Sequence, residues 1–141
     1  MNSLEEFKKN AQDEFKFLIT EYDFIEVPLD EHENGCAIKL TNSTTKVVIE
    51  GINWGSNTRV AFGGLEEKFE NHDLGFLIKI IKPSLELSEI DKEKGQLHQL
   101  SCYANIMKEI AVQILKGDFS IFPEIEKIKE IEFKKWSSEY E

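Results

Sequence analysis

Cys36-Ala37-Ile38-Lys39-Leu40 and Lys46-Val47-Val48-Ile49-Glu50-Gly51-Ile52 stand on either side of Thr41-Asn42-Ser43-Thr44-Thr45. Two apolar runs rich in β-branched residues, separated by a five-residue polar loop, read as an antiparallel hairpin. Upstream, Phe24, Glu26 and Pro28 alternate with Ile25, Val27 and Leu29. That period of two is a strand, and it belongs at a sheet edge because Pro28 has no N–H for a ladder. Glu31 to Gly35 then forms a polar turn into the hairpin. Downstream, Trp54-Gly55-Ser56-Asn57 turns the chain into Arg59-Val60-Ala61-Phe62, which Gly63-Gly64 ends. The four runs in succession predict a four-stranded antiparallel meander.

Helical periods flank this sheet. Leu4, Phe7, Ala11, Phe15, Leu18 and Tyr22 recur at spacings of three and four and form one apolar stripe, with Lys8, Lys9, Asp13 and Lys16 outside it. Ser3-Leu4-Glu5-Glu6 fits a capping box, so the spacing predicts one helix from Ser3 to about Tyr22. Asp73 is placed to cap a short apolar helix through Ile81, which Pro83 should stop, and Ser84 to Gly95 is loop-like. A long helix follows, with Leu97, Leu100, Ala104, Met107, Ala111 and Ile114 on its stripe and Gly117 as its C-cap. A last helix starts around Pro123-Glu124, with Ile125, Ile128, Ile131 and Trp136 inward and Lys134 and Lys135 in its final turn. The fold class expected is α+β: an N-terminal helix, the four-stranded meander, then C-terminal helices packed on one face of the sheet.

The chain has 141 residues, 40% of them hydrophobic, with ten Phe and two Trp. That is enough apolar material for a core in a single domain spanning residues 1–141, without disulfides or a structural metal. Cys36 and Cys102 are far apart, and neither lies in a close pair of the kind that builds zinc or redox sites. Two isolated thiols suggest a reducing compartment. The start Met1-Asn2-Ser3-Leu4-Glu5-Glu6 lacks a basic region followed by an apolar run, and no apolar stretch approaches membrane-span length. A cytoplasmic location is the expectation.

Formal net charge is −10. Residues 1–70 hold 14 acids against 7 bases and residues 71–141 hold 13 against 10, so the excess lies in the N-terminal half. A polyanion gains nothing from counterion release on phosphate backbones, which disfavours nucleic acid and anionic membranes as partners. A basic protein would be attracted, although acidity alone also serves solubility. The sharpest charge feature is Glu21, Asp23, Glu26, Asp30, Glu31 and Glu33, a segment containing no Lys or Arg. Two readings stay open: a negative rim for a cationic partner, or like charges that discourage unwanted strand pairing. Trp54 is placed at a hairpin tip, either exposed as a binding anchor or folded over the sheet edge.

Chemistry-bearing patterns are sparse. His98 and Cys102 are four apart on the predicted long helix, the spacing a thiol–imidazole nucleophile requires and also that of a packed Cys beside a half-exposed His. His32 and His72 fall in predicted loops and read as solvated. The carboxylate pairs Glu5/Glu6, Glu31/Glu33 and Glu66/Glu67 sit in charged company, whereas acid–base catalysis needs one carboxyl in an apolar pocket. Gly51, Gly63 and Gly64 fit no phosphate-binding pattern and read as turn or bulge residues. No catalytic residue, cofactor or metal is expected.

Phe17-Leu18-Ile19-Thr20-Glu21-Tyr22-Asp23-Phe24, the meander with Val47-Val48-Ile49, Leu74-Gly75-Phe76-Leu77-Ile78, and Leu115-Lys116-Gly117-Asp118-Phe119-Ser120-Ile121-Phe122-Pro123 together resemble an uncharacterised group of small bacterial proteins associated with immunity to polymorphic toxins. The similarity spans most of the chain, and its motifs are structural ones. It implies a stoichiometric inhibitor that binds and blocks a toxin domain made in the same cell. The −10 charge suits a basic toxin such as a nuclease, with the acidic segment steering the encounter and Trp54 as an anchor. Against this stand a regulatory or scaffold protein-binding domain, and an enzyme whose site is assembled only in the fold.

Overall fold

The computed structural model describes residues 3–29, 36–52, 57–66, 72–81 and 95–139. In chain order the elements are α1 (Ser3–Glu14), α2 (Phe17–Tyr22), β1 (Ile25–Val27), β2 (Ala37–Thr41), β3 (Thr45–Ile52), β4 (Asn57–Gly64), β5 (His72–Asp73), α3 (Leu74–Ile81), α4 (Gln96–Ile110), α5 (Val112–Leu115) and α6 (Phe122–Glu139). The class is α+β, and the sheet is an antiparallel meander in the order β1-β2-β3-β4-β5. It has five strands among the described residues, not four. Two-residue β5 pairs Asp73 with Ala61 and His72 with Phe62, and a strand that short shows no alternation to read.

Register decides which face meets the helices. Ile38 is opposite Ile49 and Ile49 opposite Val60, while Leu40 is opposite Val47 and Val47 opposite Phe62. All six belong to one buried cluster with Phe7 and Ala11 of α1, Leu18 of α2, Leu77 of α3 and Leu100, Ala104 and Met107 of α4. The described helices thus pack on a single face of the sheet. Glu26 is opposite Leu40, so it stands on this helix-covered face, whereas Ile25 and Val27 point the other way.

The N-terminal helix is broken rather than continuous. α1 stops at Glu14 and α2 restarts at Phe17, with the Leu18 N–H donating to the Phe15 carbonyl at 3.0 Å. Phe15, Phe17 and Leu18 are all buried. Residues two apart lie on opposite sides of an uninterrupted helix, so the break is what lets Phe15 and Phe17 both face inward. Their rings lie 6.1 Å apart. A comparable interruption at Ala111 (φ −105°, ψ 11°) divides the predicted long helix into α4 and α5.

The stripe of α4 and α5 is buried at Leu100, Ala104, Met107, Ala111 and Ile114, but Leu97, expected inside, is 53% exposed. On α6, Ile125 is buried, Ile128 half-buried and Ile131 64% exposed. The helix runs past the core to Glu139, so Lys134 and Lys135 are not in its last turn, and Lys134 pairs instead with Glu130 at 3.3 Å. The side chains of Ser3 and Trp136 lie outside the described residues, as do Pro83, residues 84–94 of the expected loop and the expected turn at residues 31–35.

Asp73 caps α3 as expected. Its Oδ1 accepts the Gly75 N–H, at 2.6 Å, and its Oδ2 accepts from Arg59 Nε on β4, at 3.1 Å. One carboxylate therefore satisfies a first-turn amide and joins the helix start to the sheet. Asp73→Ala is expected to cost about 1 kcal/mol through the lost cap, read as a lower urea midpoint with unchanged slope; an unchanged midpoint would remove this role.

His72 is a correction: it is buried in β5, not solvated in a loop. Its ring stacks on Phe122 at 3.7 Å and 6°, and Phe122 stacks in turn on Phe119 at 4.8 Å. Nε2 lies 3.3 Å from Glu126 Oε1. The column fastens the first turns of α6 to the sheet edge. Gly51, Gly63 and Gly64 are likewise ladder residues, opposite Thr58, Lys46 and Thr45, rather than turns.

Candidate functional site

The break between α1 and α2 leaves part of the sheet's first two strands open beneath it. A half-open groove of about 300 Å³ results, lined by Gln12, Asp13 and Phe15 of α1 and its end, Lys16, Ile19 of α2, Glu26 of β1, and Ile38 and Leu40 of β2. Its floor is apolar and buried at Phe15, Ile38 and Leu40, and its wall includes Ile19, 46% exposed. The rim carries the carboxylates of Asp13 and Glu26 and the ammonium of Lys16, all exposed. Glu26 Oε1 accepts from Gln12 Nε2 at 2.9 Å, a bond that ties β1 to α1 and fixes the carboxylate at the groove.

The predicted acidic set separates into different roles. Glu21 is exposed on α2. Asp23 is exposed too, but its backbone is left-handed (φ 60°) and closes α2, with the Phe24 N–H donating to the Leu18 carbonyl at 3.1 Å. Asp accepts that conformation more readily than most residues. Of the set's described members, Glu26 lines the groove. Asp30, Glu31, Glu33 and Trp54 lie outside the described residues, as do His32 and Glu67. Asp13, Gln12 and Lys16 were not singled out in the sequence because an unbroken helix would carry them away from the sheet on its solvent side.

Ile25, 62% exposed, and Val27 lie beside Glu26 on β1, an outer strand of the sheet. This edge is three residues long and is followed by Pro28. Its shortness and the adjacent carboxylate are both features that resist indiscriminate strand pairing.

The second place of interest is the pair His98 and Cys102. The fold brings them together as the helical spacing predicts: Sγ is 3.5 Å from Nε2 and 4.0 Å from Nδ1, with both residues half-buried. Neighbouring Tyr103 has its phenol pushed above the ordinary range, first by burial and then by the charges of Asp73 and Cys102. Cys36 is a different kind of thiol. Burial raises its pKa against the opposing pull of Lys8 and the Gly51 N–H, which favours the protonated, unreactive form.

Among the described residues, no group of three or more His, Cys, Asp or Glu is placed to hold a metal ion. No described helix is long and apolar enough to cross a membrane. Comparison of the chain with protein-family models, curated proteins and solved structures finds no match. What the fold and groove define is therefore a class: an acidic α+β domain with a small apolar groove rimmed by carboxylates beside a sheet edge.

Proposed function

We propose that this protein binds and neutralises a basic bacterial toxin, such as a nuclease, by stoichiometric occlusion in the manner of an immunity protein. The observation that carries the reading is that Glu21 on α2 and Glu26 on β1 are both exposed, with Glu26 at the groove, in a chain of net charge −10. The family resemblance of the helix-to-strand and helix-to-helix segments supports the same reading. Complementary charge would hasten encounter, and apolar anchoring would set the lifetime of the complex.

The test is capture of the tagged protein's partner from lysate of its own cells at low and moderate salt, then reconstitution. A basic protein that forms an equimolar complex, and whose toxicity is relieved by co-expression, is the expected result. Recovery of the protein alone at low salt would sink the reading. In the reconstituted complex, Glu21→Lys with Glu26→Lys should slow association about ten-fold at low ionic strength and less at high. Asp23 is left out of this variant because it closes α2. Equal rates for variant and parent would exclude steering by these two acids.

The His98–Cys102 contact favours a second reading, an enzyme whose site is assembled only in the fold. That reading expects alkylation of Cys102 with a pH profile altered by His98→Ala. An unaltered profile would leave the contact as packing.

A further inference from the structure

We propose that the groove between α1–α2 and β1–β2 is a receptor for one arginine side chain of the basic partner. This rests on the reading of the protein as a binder of a basic protein and names the anchor that reading lacks.

The shape of the site selects a narrow occupant. At about 300 Å³ it stands at the bottom of the range of small-ligand sites, roughly 300–1,000 Å³. That is room for one long side chain and its flanking backbone. The floor of Phe15, Ile38 and Leu40 is apolar, while the charges are confined to the rim. An occupant must therefore be apolar along its length and charged at its tip. Arginine and lysine are the side chains built this way, with a methylene stem that lies on apolar surface while the head stays at the water boundary. Seating such a stem would also cover Ile19, which is now 46% exposed.

The sign and arrangement of the rim favour a cation, and a guanidinium over an ammonium. Asp13 and Glu26 approach from two different elements, against the single charge of Lys16. Glu26 Oε1 is engaged by Gln12, which holds the carboxylate in place and leaves Oε2 as an acceptor. A planar fork with five donors can meet carboxylates on two sides, whereas an ammonium is a compact and more strongly hydrated charge. Lys16 places a like charge in the same lining, so its removal should strengthen binding of a cation. A site shaped only by burial or solubility would give no such response.

The probe is Nα-acetyl-arginine methylamide, titrated into the full chain labelled at isoleucine methyl groups. Nα-acetyl-citrulline methylamide serves as the uncharged isostere. The expected result is saturable shifts of the Ile19 and Ile38 methyls with the arginine probe and none with citrulline. Glu26→Gln and Asp13→Asn should each weaken binding about three-fold, the scale of an exposed ion pair, and Lys16→Ala should strengthen it. Both acids are exposed, and retained amide dispersion in each variant separates lost binding from lost folding. Absence of saturation at Ile19 and Ile38, or equal response to citrulline, would overturn the proposal.

Failure of this inference and failure of the inhibitor reading are distinguishable. A captured basic partner whose affinity is unmoved by Glu26→Gln and Asp13→Asn together would remove the groove and keep the inhibitor. Arginine binding in the groove with no basic partner in the lysate would do the reverse.

Discussion

Gly117→Val should lower the free energy of unfolding by about 3 kcal/mol, from two separable sources. Gly117 has φ 93°, a conformation that costs a β-branched residue roughly 1–3 kcal/mol. It ends α5 in a reciprocal pair of bonds, the Gly117 N–H to the Ile114 carbonyl at 3.0 Å and the Asp118 N–H to the Gln113 carbonyl at 2.9 Å. Only the left-handed residue between them makes both bonds reachable. The second source is space. A Cβ added at Gly117 would come within 2.8 Å of Thr44 Oγ1 and 2.9 Å of Thr44 Cβ, and overpacking of this kind costs a further 1–3 kcal/mol or so. Urea unfolding of Gly117→Ala in parent and Thr44→Gly backgrounds divides the two. If the loss is mostly steric, Thr44→Gly should relieve it; if mostly conformational, the background will not matter. A Val variant as stable as the parent would overturn the cap itself.

The β2–β3 hairpin, the Asp73 cap and the Gly117 stop were legible because each depends on residues adjacent in sequence. Alternation of side chains, a carboxylate two residues from an amide, and a backbone open to glycine are all local requirements. The misreadings share a different cause. His72 looked solvated because its neighbours are polar, yet its burial is decided by Phe122, fifty positions later. β5 exists because β4 offers an edge to it, not because two residues prefer a strand. Leu97 and Ile131 kept the helical period but lie where no core reaches them, so periodicity gave a face without saying how far along the helix that face is covered.

The candidate site was half legible for the same reason. Glu26 could be placed on an edge strand from Pro28 and the alternation around it. Its neighbours Asp13 and Lys16 could not be placed, since one apolar stripe from Leu4 to Tyr22 describes an unbroken helix with both residues outside. Phe17 was the available signal. A large aromatic off the stripe, one residue before Leu18, conflicts with a single continuous helix, and the fold resolves the conflict by breaking it. The groove is the space that break leaves.

Asn42→Ala is expected to cost about 2–4 kcal/mol, more than any other single polar truncation proposed for this chain. A loop asparagine predicts a turn, and part of its role is that: Oδ1 accepts from the Thr44 and Thr45 N–H groups at 3.0 and 2.9 Å. The larger part is long-range. Its Nδ2 donates to the Tyr22 carbonyl, where α2 ends, and to the Leu115 carbonyl, where α5 ends, both at 3.1 Å. Thr45 Oγ1 adds a buried bond to the Ile114 carbonyl at 3.0 Å. One side chain thus ties the hairpin to two helix ends whose last carbonyls have no partner within the helix. Each bond is worth about 0.5–1.5 kcal/mol net, and stranding a carbonyl costs more than a bond gains. Asn42→Asp separates the two roles, because it keeps an acceptor for the turn amides but replaces the donor with a carboxylate facing two carbonyls. It should be at least as destabilised as the alanine variant at neutral pH. Hydrogen exchange should accelerate at Phe24 and Leu115, whose segments lose their tie, ahead of the β3–β4 ladder. If Asn42→Asp instead unfolds like the parent, the turn alone carries the stability and α2 is held to the hairpin by packing. In that case the groove, which depends on where α2 sits, owes its shape to Phe15, Phe17 and Leu18.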